Sequence, residues 1–252
     1  MTQIRPDQLG GPHSPLSSSM PRKAIHKLTA VPLFELRPAL GVFESLSELG
    51  WQESARKRVP VDQGSRPIPW WTYAATAFFE KWLKPEVRVF EFGAGNSTLW
   101  LADRVASVTS VEHDANWADR IRAKAPKNSE VISATFSGDS FECSESDPYV
   151  RAYADRAGAG GFDVVVVDGV ARLTCVDVFL HSNPSDEALL ILDNSDRRRY
   201  RPAISRLHEA GFGRIDFFGP VPIVGSFSST SFFSRRLSAF SAELGFPAGP
   251  GY

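Results

Sequence analysis

The chain has 252 residues, with 28 Lys and Arg against 29 Asp and Glu, for a formal net charge of −1. That balance argues against a dedicated nucleic-acid binder or a protein held to anionic membranes, because either needs a basic excess. Apolar residues make up 42% and charged residues 23%, as in an ordinary soluble domain, and no stretch of about 18 apolar residues offers a membrane span.

Residues 1–30 are rich in Pro, Ser and Gly and are expected to form a disordered arm, since they carry too little apolar surface to offset the entropy of ordering. Residues 31–66 are expected to form a cap, with a short helix over 38–50 and then a loop holding Pro60 and Gly64. The main domain is expected over 67–238, followed by a tail at 239–252. Trp70, Ala74, Ala77, Phe78, Lys81 and Trp82 follow helical spacing, and Pro85 ends that segment. Strands are expected at 87–92, 108–111, 131–136, 162–167, 188–192, 214–218 and 230–234. Four consecutive valines mark the fourth as buried on both faces. Helices are expected at 97–105, 117–125, 173–180 and 200–210, and the acidic, then Gly-rich, stretch 139–161 reads as a helix or long loop at the surface. Strand and helix alternate until the last two strands, which suggest an antiparallel pair at the sheet edge. The expected fold is therefore α/β, a doubly wound, seven-stranded, mostly parallel sheet. Ligands of such sheets bind beyond the carboxyl ends of the strands.

After the first strand stands Glu91-Phe92-Gly93-Ala94-Gly95-Asn96-Ser97-Thr98. Two glycines two apart permit a tight turn and close approach of a ligand to the backbone. After the second strand comes Glu112-His113-Asp114, with Glu112 19 positions beyond Gly93. An acid at that distance suits a ribose diol, whose two hydroxyls a carboxylate can accept. Asp114 reads as a solvated acid in a turn. Asp168-Gly169 follows the fourth strand and Asp193-Asn194 the fifth. Their oxygens could converge on a hard cation such as Mg²⁺. Alternatively, Asp168 acts as a base without metal and Asp193-Asn194 caps the next helix. Arg197, Arg198, Arg199 and Arg201 form a basic cluster, either a solvated charge run or a mouth for an anionic acceptor. The Pro67-Ile68-Pro69-Trp70-Trp71 lead before the first helix is either packed core or a lid over the site. Cys143 and Cys175 form no CxxC, zinc pattern or disulfide framework, so a cytoplasmic, reducing setting is expected.

The first loop lacks the third glycine of a dinucleotide fingerprint, with Thr98 in its place. With Glu91 two residues before Gly93, it resembles the first motif of the class I S-adenosylmethionine-dependent methyltransferases, and the resemblance extends over about 67–236. The Pro-Trp-Trp lead and the Asp-Gly after strand four also resemble a bacterial group of such enzymes with no defined substrate. The resemblance implies S-adenosylmethionine as cofactor, held by Glu91, Gly93, Gly95, Asn96 and Ser97. It places Glu112, with His113 beside it, at the ribose, and Asp139 with Ser140 near the adenine. Asp168, Asp193 and Asn194 resemble the strand-end set of metal-dependent O-methyltransferases, which implies catalytic duty for all three and Mg²⁺ between them, although the surrounding Asp168-Gly169-Val170-Ala171-Arg172 departs from those enzymes. The expected function is methyl transfer to a small-molecule acceptor at oxygen, with no nucleic-acid or membrane partner. The alternatives are a nicotinamide-dependent oxidoreductase and a non-catalytic cofactor-binding scaffold protein.

Overall fold

The computed structural model describes residues 33–158 and 161–237. The arm expected over 1–30 and the tail over 239–252 lie outside the described residues. Contacts divide the chain into two units at Leu49/Gly50. The first holds helix α1, Leu33–Glu48, which starts earlier than the expected 38–50.

The second unit runs α2 (Trp51–Lys57), α3 (Tyr73–Trp82), β1 (Arg88–Phe92), α4 (Asn96–Ala102), β2 (Ser107–Glu112), α5 (Ala115–Arg122), β3 (Ser129–Ser133), α6 (Pro148–Ala154), β4 (Val164–Val167), α7 (Arg172–His181), β5 (Leu189–Asp193), α8 (Arg201–Glu209), β6 (Gly213–Pro220) and β7 (Phe227–Ser234). The seven strands form one sheet in the order β3-β2-β1-β4-β5-β7-β6. The first five strands pair in parallel, and β7 runs antiparallel to both β5 and β6. The expected antiparallel ending is present, with β6 and β7 each eight residues long.

Strand alternation sends side chains to two separate cores. Phe90, Phe92, Val165, Val167, Leu190 and Leu192 pack with residues of α6, α7 and α8. Val89, Val164, Val166, Leu189 and Ile191 pack with Trp71 and with residues of α3 and α4. The valines of β4 are all fully buried between β1 and β5.

Two helical expectations change. Of the periodic set, Ala74, Ala77, Phe78, Lys81 and Trp82 mark the outer face of α3, with Phe78 and Trp82 about 40% exposed, and Trp70, equally exposed, precedes the helix. The buried face is Tyr73, Thr76 and Phe79, with Ala75. Several aromatic side chains stand on each side, so spacing alone could not choose between them. The stretch 139–161 is not a surface segment throughout. Asp147 caps α6 by accepting from Tyr149 N at 3.0 Å, and Tyr149, Val150 and Tyr153 are buried in the main core. No helix of the described residues is long and apolar enough to cross a membrane.

Candidate active site

The strand order reverses between β1 and β4, so a crevice opens beyond their carboxyl ends. Gly93 follows β1 with φ +98°, a conformation that favours glycine. A Cβ there would lie 2.8 Å from the Cα of Gly169 beyond β4. Gly169 in turn faces Tyr149, whose hydroxyl would sit 2.0 Å from an added Cβ. The two loops thus form a close-packed cradle with no room for a side chain at either glycine.

The acid of the first motif acts from beneath this cradle. Glu91 is fully buried. Its carboxylate accepts from the hydroxyls of Ser97, of Thr98 at 2.5 Å and of Ser110 at 2.6 Å. Thr98 Oγ1 also accepts from Gly95 N at 3.0 Å. Burial pushes the Glu91 carboxyl up to about 7 against the pull of these bonds. Glu91 and Ser97, expected against the cofactor, are bonded to each other and hold the loop in shape. Asn96 donates from Nδ2 to Pro60 O at 2.6 Å, tying the 50–66 stretch, expected in the cap, to this end of the sheet. Trp51 does the same by donating to Val224 O at 2.9 Å in the β6–β7 connection.

Glu112 ends β2 almost wholly buried. Its Oε2 accepts from Ala94 N at 3.1 Å, and its Oε1 from His113 N and Asp114 N, each at 2.9 Å. The acid after the second strand is therefore bonded to the glycine loop after the first. His113 Nδ1 lies 2.7 Å from Glu112 Oε1. Burial disfavours the charged imidazole, but the Glu112 carboxylate more than reverses this, so the His113 pKa is raised. The His113, Phe136 and Tyr149 rings meet edge to face with centroids 5.6–6.3 Å apart. Asp139 is exposed and accepts from Phe141 N at 2.7 Å and Glu142 N at 3.0 Å, so it caps its own turn. Those bonds hold its carboxyl below the usual value. Ser140 beside it is half-buried. Asp114 is exposed, but it also caps α5 by accepting from Trp117 N at 2.9 Å.

Beyond β4 and β5, one guanidinium organises both acids. Arg172, buried at the start of α7, donates from Nη2 to Asp168 Oδ1 and to Asp168 O, each at 2.9 Å, and from Nε to Gly169 O at 2.9 Å. Its Nη1 donates to Asp193 O and lies 3.9 Å from Asp193 Oδ2. Asp168 Oδ2 accepts from Trp71 Nε1 at 3.2 Å, and Asp193 Oδ1 from Thr230 Oγ1 at 2.7 Å. Burial raises both carboxyls above the usual range. For Asp168, Arg172 opposes the rise; for Asp193, the charge of Asp168 adds to it.

The expected Mg²⁺ set does not fit this arrangement. Arg172 stands between the two carboxylates, and Asn194, at φ +54°, turns its amide to Ser228 Oγ at 3.1 Å. Among the described residues no group of three or more His, Cys, Asp or Glu side chains could hold a metal ion. Nor does Asp193-Asn194 cap the next helix: α8 starts from Tyr200, without a side-chain cap. In the basic cluster, Arg198, Arg199 and Arg201 are exposed and Arg199 lies over the Phe141 ring at 4.3 Å. Arg197 is half-buried, and its charge acts on Asp168. Of the Trp pair, Trp71 is fully buried and Trp70 is 41% exposed. Arg172, Ser110, Tyr149 and Thr230 were not anticipated. The single legible signal for Arg172 was the departure of 168–172 from the metal-dependent pattern.

No family model matches this chain, and no curated protein does. Solved structures resemble this chain at low identity and with TM-scores below 0.5. A precorrin-6y C5,15-methyltransferase from Geobacter metallireducens GS-15 is 14% identical, with TM-score 0.46, over 71% of this chain and 90% of that one. A TehB-like SAM-dependent methyltransferase from Corynebacterium glutamicum is 15% identical, with TM-score 0.42, over 63% and 85%. An rRNA methylase from Streptococcus thermophilus is 12% identical, with TM-score 0.42, over 64% and 94%.

Proposed function

We propose that this chain transfers the methyl group of S-adenosylmethionine to the oxygen of a small-molecule acceptor. The observation that carries this reading is the bond from Ala94 N to Glu112, which fixes a glycine loop and a strand-end acid as one unit at the switch point of the sheet. The Gly93–Gly169 cradle and the Glu112 acceptor suit the cofactor: backbone of 93–96 against its methionine part, Glu112 at its ribose diol, and the His113 and Phe136 rings toward its adenine. When bound, S-adenosylmethionine supplies a methyl group on a cationic sulfonium. Asp168 has a side chain 18% exposed at the strand ends and is the group suited to take the proton of an acceptor hydroxyl at an oxygen. A carboxyl raised toward neutrality by burial is matched to that duty. Trp71 and Arg172 hold both its oxygens, so its direction is set before the acceptor arrives. The near-neutral net charge supports a small acceptor over a nucleic acid.

Incubation with methyl-labelled S-adenosylmethionine and a panel of phenols, sugars and hydroxy acids tests the reading. Label should pass to an acceptor oxygen, and Asp168→Asn should lose transfer while keeping cofactor binding. Transfer only to nitrogen or carbon acceptors, or full activity in Asp168→Asn, would overturn it.

A further inference from the structure

Asp168 directly follows β4 and Asp193 ends the neighbouring β5, with Asp193 buried and the Asp168 side chain 18% exposed. Two acids so placed repel each other in a low dielectric unless a positive charge stands between them. Here that charge comes from the chain. Ala171, in the left-handed region at φ +50°, turns the backbone so that Arg172 opens α7 directly over the strand ends. The guanidinium then spans carbonyl oxygens of Asp168, Gly169 and Asp193 as well as the Asp168 carboxylate, and the Tyr200 ring lies 5.7 Å from its centre. A metal ion entering between the carboxylates would need oxygen ligands at about 2.0–2.6 Å. It would have to displace the guanidinium and take that donor from the carbonyls of Asp168, Gly169 and Asp193. The other charges acting on Asp168 are Glu91 from β1 and Arg197 from beyond β5.

We propose that Arg172 is the site's built-in cation: fixed between Asp168 and Asp193, it aims the Asp168 carboxylate into the crevice and takes the place of a divalent ion. Arg172 is thus a positioning residue. The proposal rests on the methyl-transfer reading of the site and deepens it by making the site independent of metal.

Trp71 supplies the test, because its indole N–H is bonded to Asp168. In protein labelled with ¹⁵N at its six tryptophans, the Trp71 indole resonance is assigned by its loss in Trp71→Phe. Substoichiometric Mn²⁺ is then added. A Mn²⁺ ion held by Asp168 would broaden the Trp71 line, with those of its near neighbours, beyond detection, whereas the proposal expects the Trp71 line to keep its intensity. Broadening of the Trp71 line beyond detection overturns the proposal. In Arg172→Gln the Trp71 line should move, and in Arg172→Lys it should return toward its wild-type position. An unmoved line in folded Arg172→Gln also overturns the proposal. If Arg172→Gln does not fold, the Mn²⁺ result on the wild-type protein decides alone. Titration of the same samples with S-adenosylhomocysteine tests the underlying reading separately. Saturable binding together with a broadened Trp71 line would remove the proposal and leave the reading. No binding together with an intact line would remove the reading.

Discussion

Gly93 and Gly169 face each other across the reversal of strand order, so close that a Cβ on Gly93 would come within 2.8 Å of the Gly169 Cα. The two glycines of the first loop therefore differ in kind. Gly93→Ala meets backbone and adopts a φ that L residues avoid, and it should destabilise the fold by about 1–3 kcal/mol. At Gly95 the backbone is extended, and a Cβ would meet nothing nearer than Ser97 Oγ at 3.6 Å. Gly95→Ala should keep wild-type stability in urea and lose cofactor affinity, because only the approach of a ligand is blocked. Equal loss of stability in both variants would show that the turn, rather than a bound ligand, requires both glycines.

Glu112 carries both structure and binding. Its carboxylate satisfies three buried or half-buried backbone N–H groups, so Glu112→Ala should cost about 1–3 kcal/mol of stability. Cofactor binding should weaken by about 2–4 kcal/mol through loss of charge-assisted bonds. Calorimetric titration and urea denaturation on the same variant measure the two losses. A destabilised variant with unchanged affinity would restrict Glu112 to shaping the loop.

The buried Glu91 predicts a pH dependence with a definite sign. Its carboxyl rises from the ordinary 4.5 to about 7 in the folded state. The folded protein therefore holds a proton that the unfolded chain has released between those values. The associated stability is fully present below about 4.5 and is lost as pH rises to about 7, by about 3 kcal/mol. Asp168 and Asp193 shift in the same direction and steepen the loss. In Glu91→Gln, stability relative to wild type should rise by about 2–3 kcal/mol between pH 5 and pH 8. A constant difference across that range would mean that Glu91 ionises normally beneath the loop.

The succession of strands and helices along the chain was legible because it rests on local patterns. Four consecutive valines, two glycines two apart and an acid 19 positions beyond the first of them can each be read directly from the sequence. Partnerships across the sheet left no such mark. Ser110 reaches Glu91 from β2, Thr230 reaches Asp193 from β7, and Tyr149 reaches Gly169 from α6. Each of these side chains is ordinary where it stands in the sequence. The Mg²⁺ expectation arose because the two acids are visible in sequence, whereas the direction of Arg172 depends on a single left-handed residue, Ala171. Likewise, helical spacing located α3 but marked its outer face, since aromatic side chains occupy both sides of that helix, Phe78 and Trp82 outside and Tyr73 and Phe79 inside.

Calorimetric titration of the wild-type protein and Glu112→Ala with S-adenosylhomocysteine, and in parallel with NADH, tests the central claim most directly. One saturable site for S-adenosylhomocysteine, about 30-fold or more weaker in Glu112→Ala, with no heat from NADH, is the predicted result. Saturable binding of NADH with none of S-adenosylhomocysteine would contradict it.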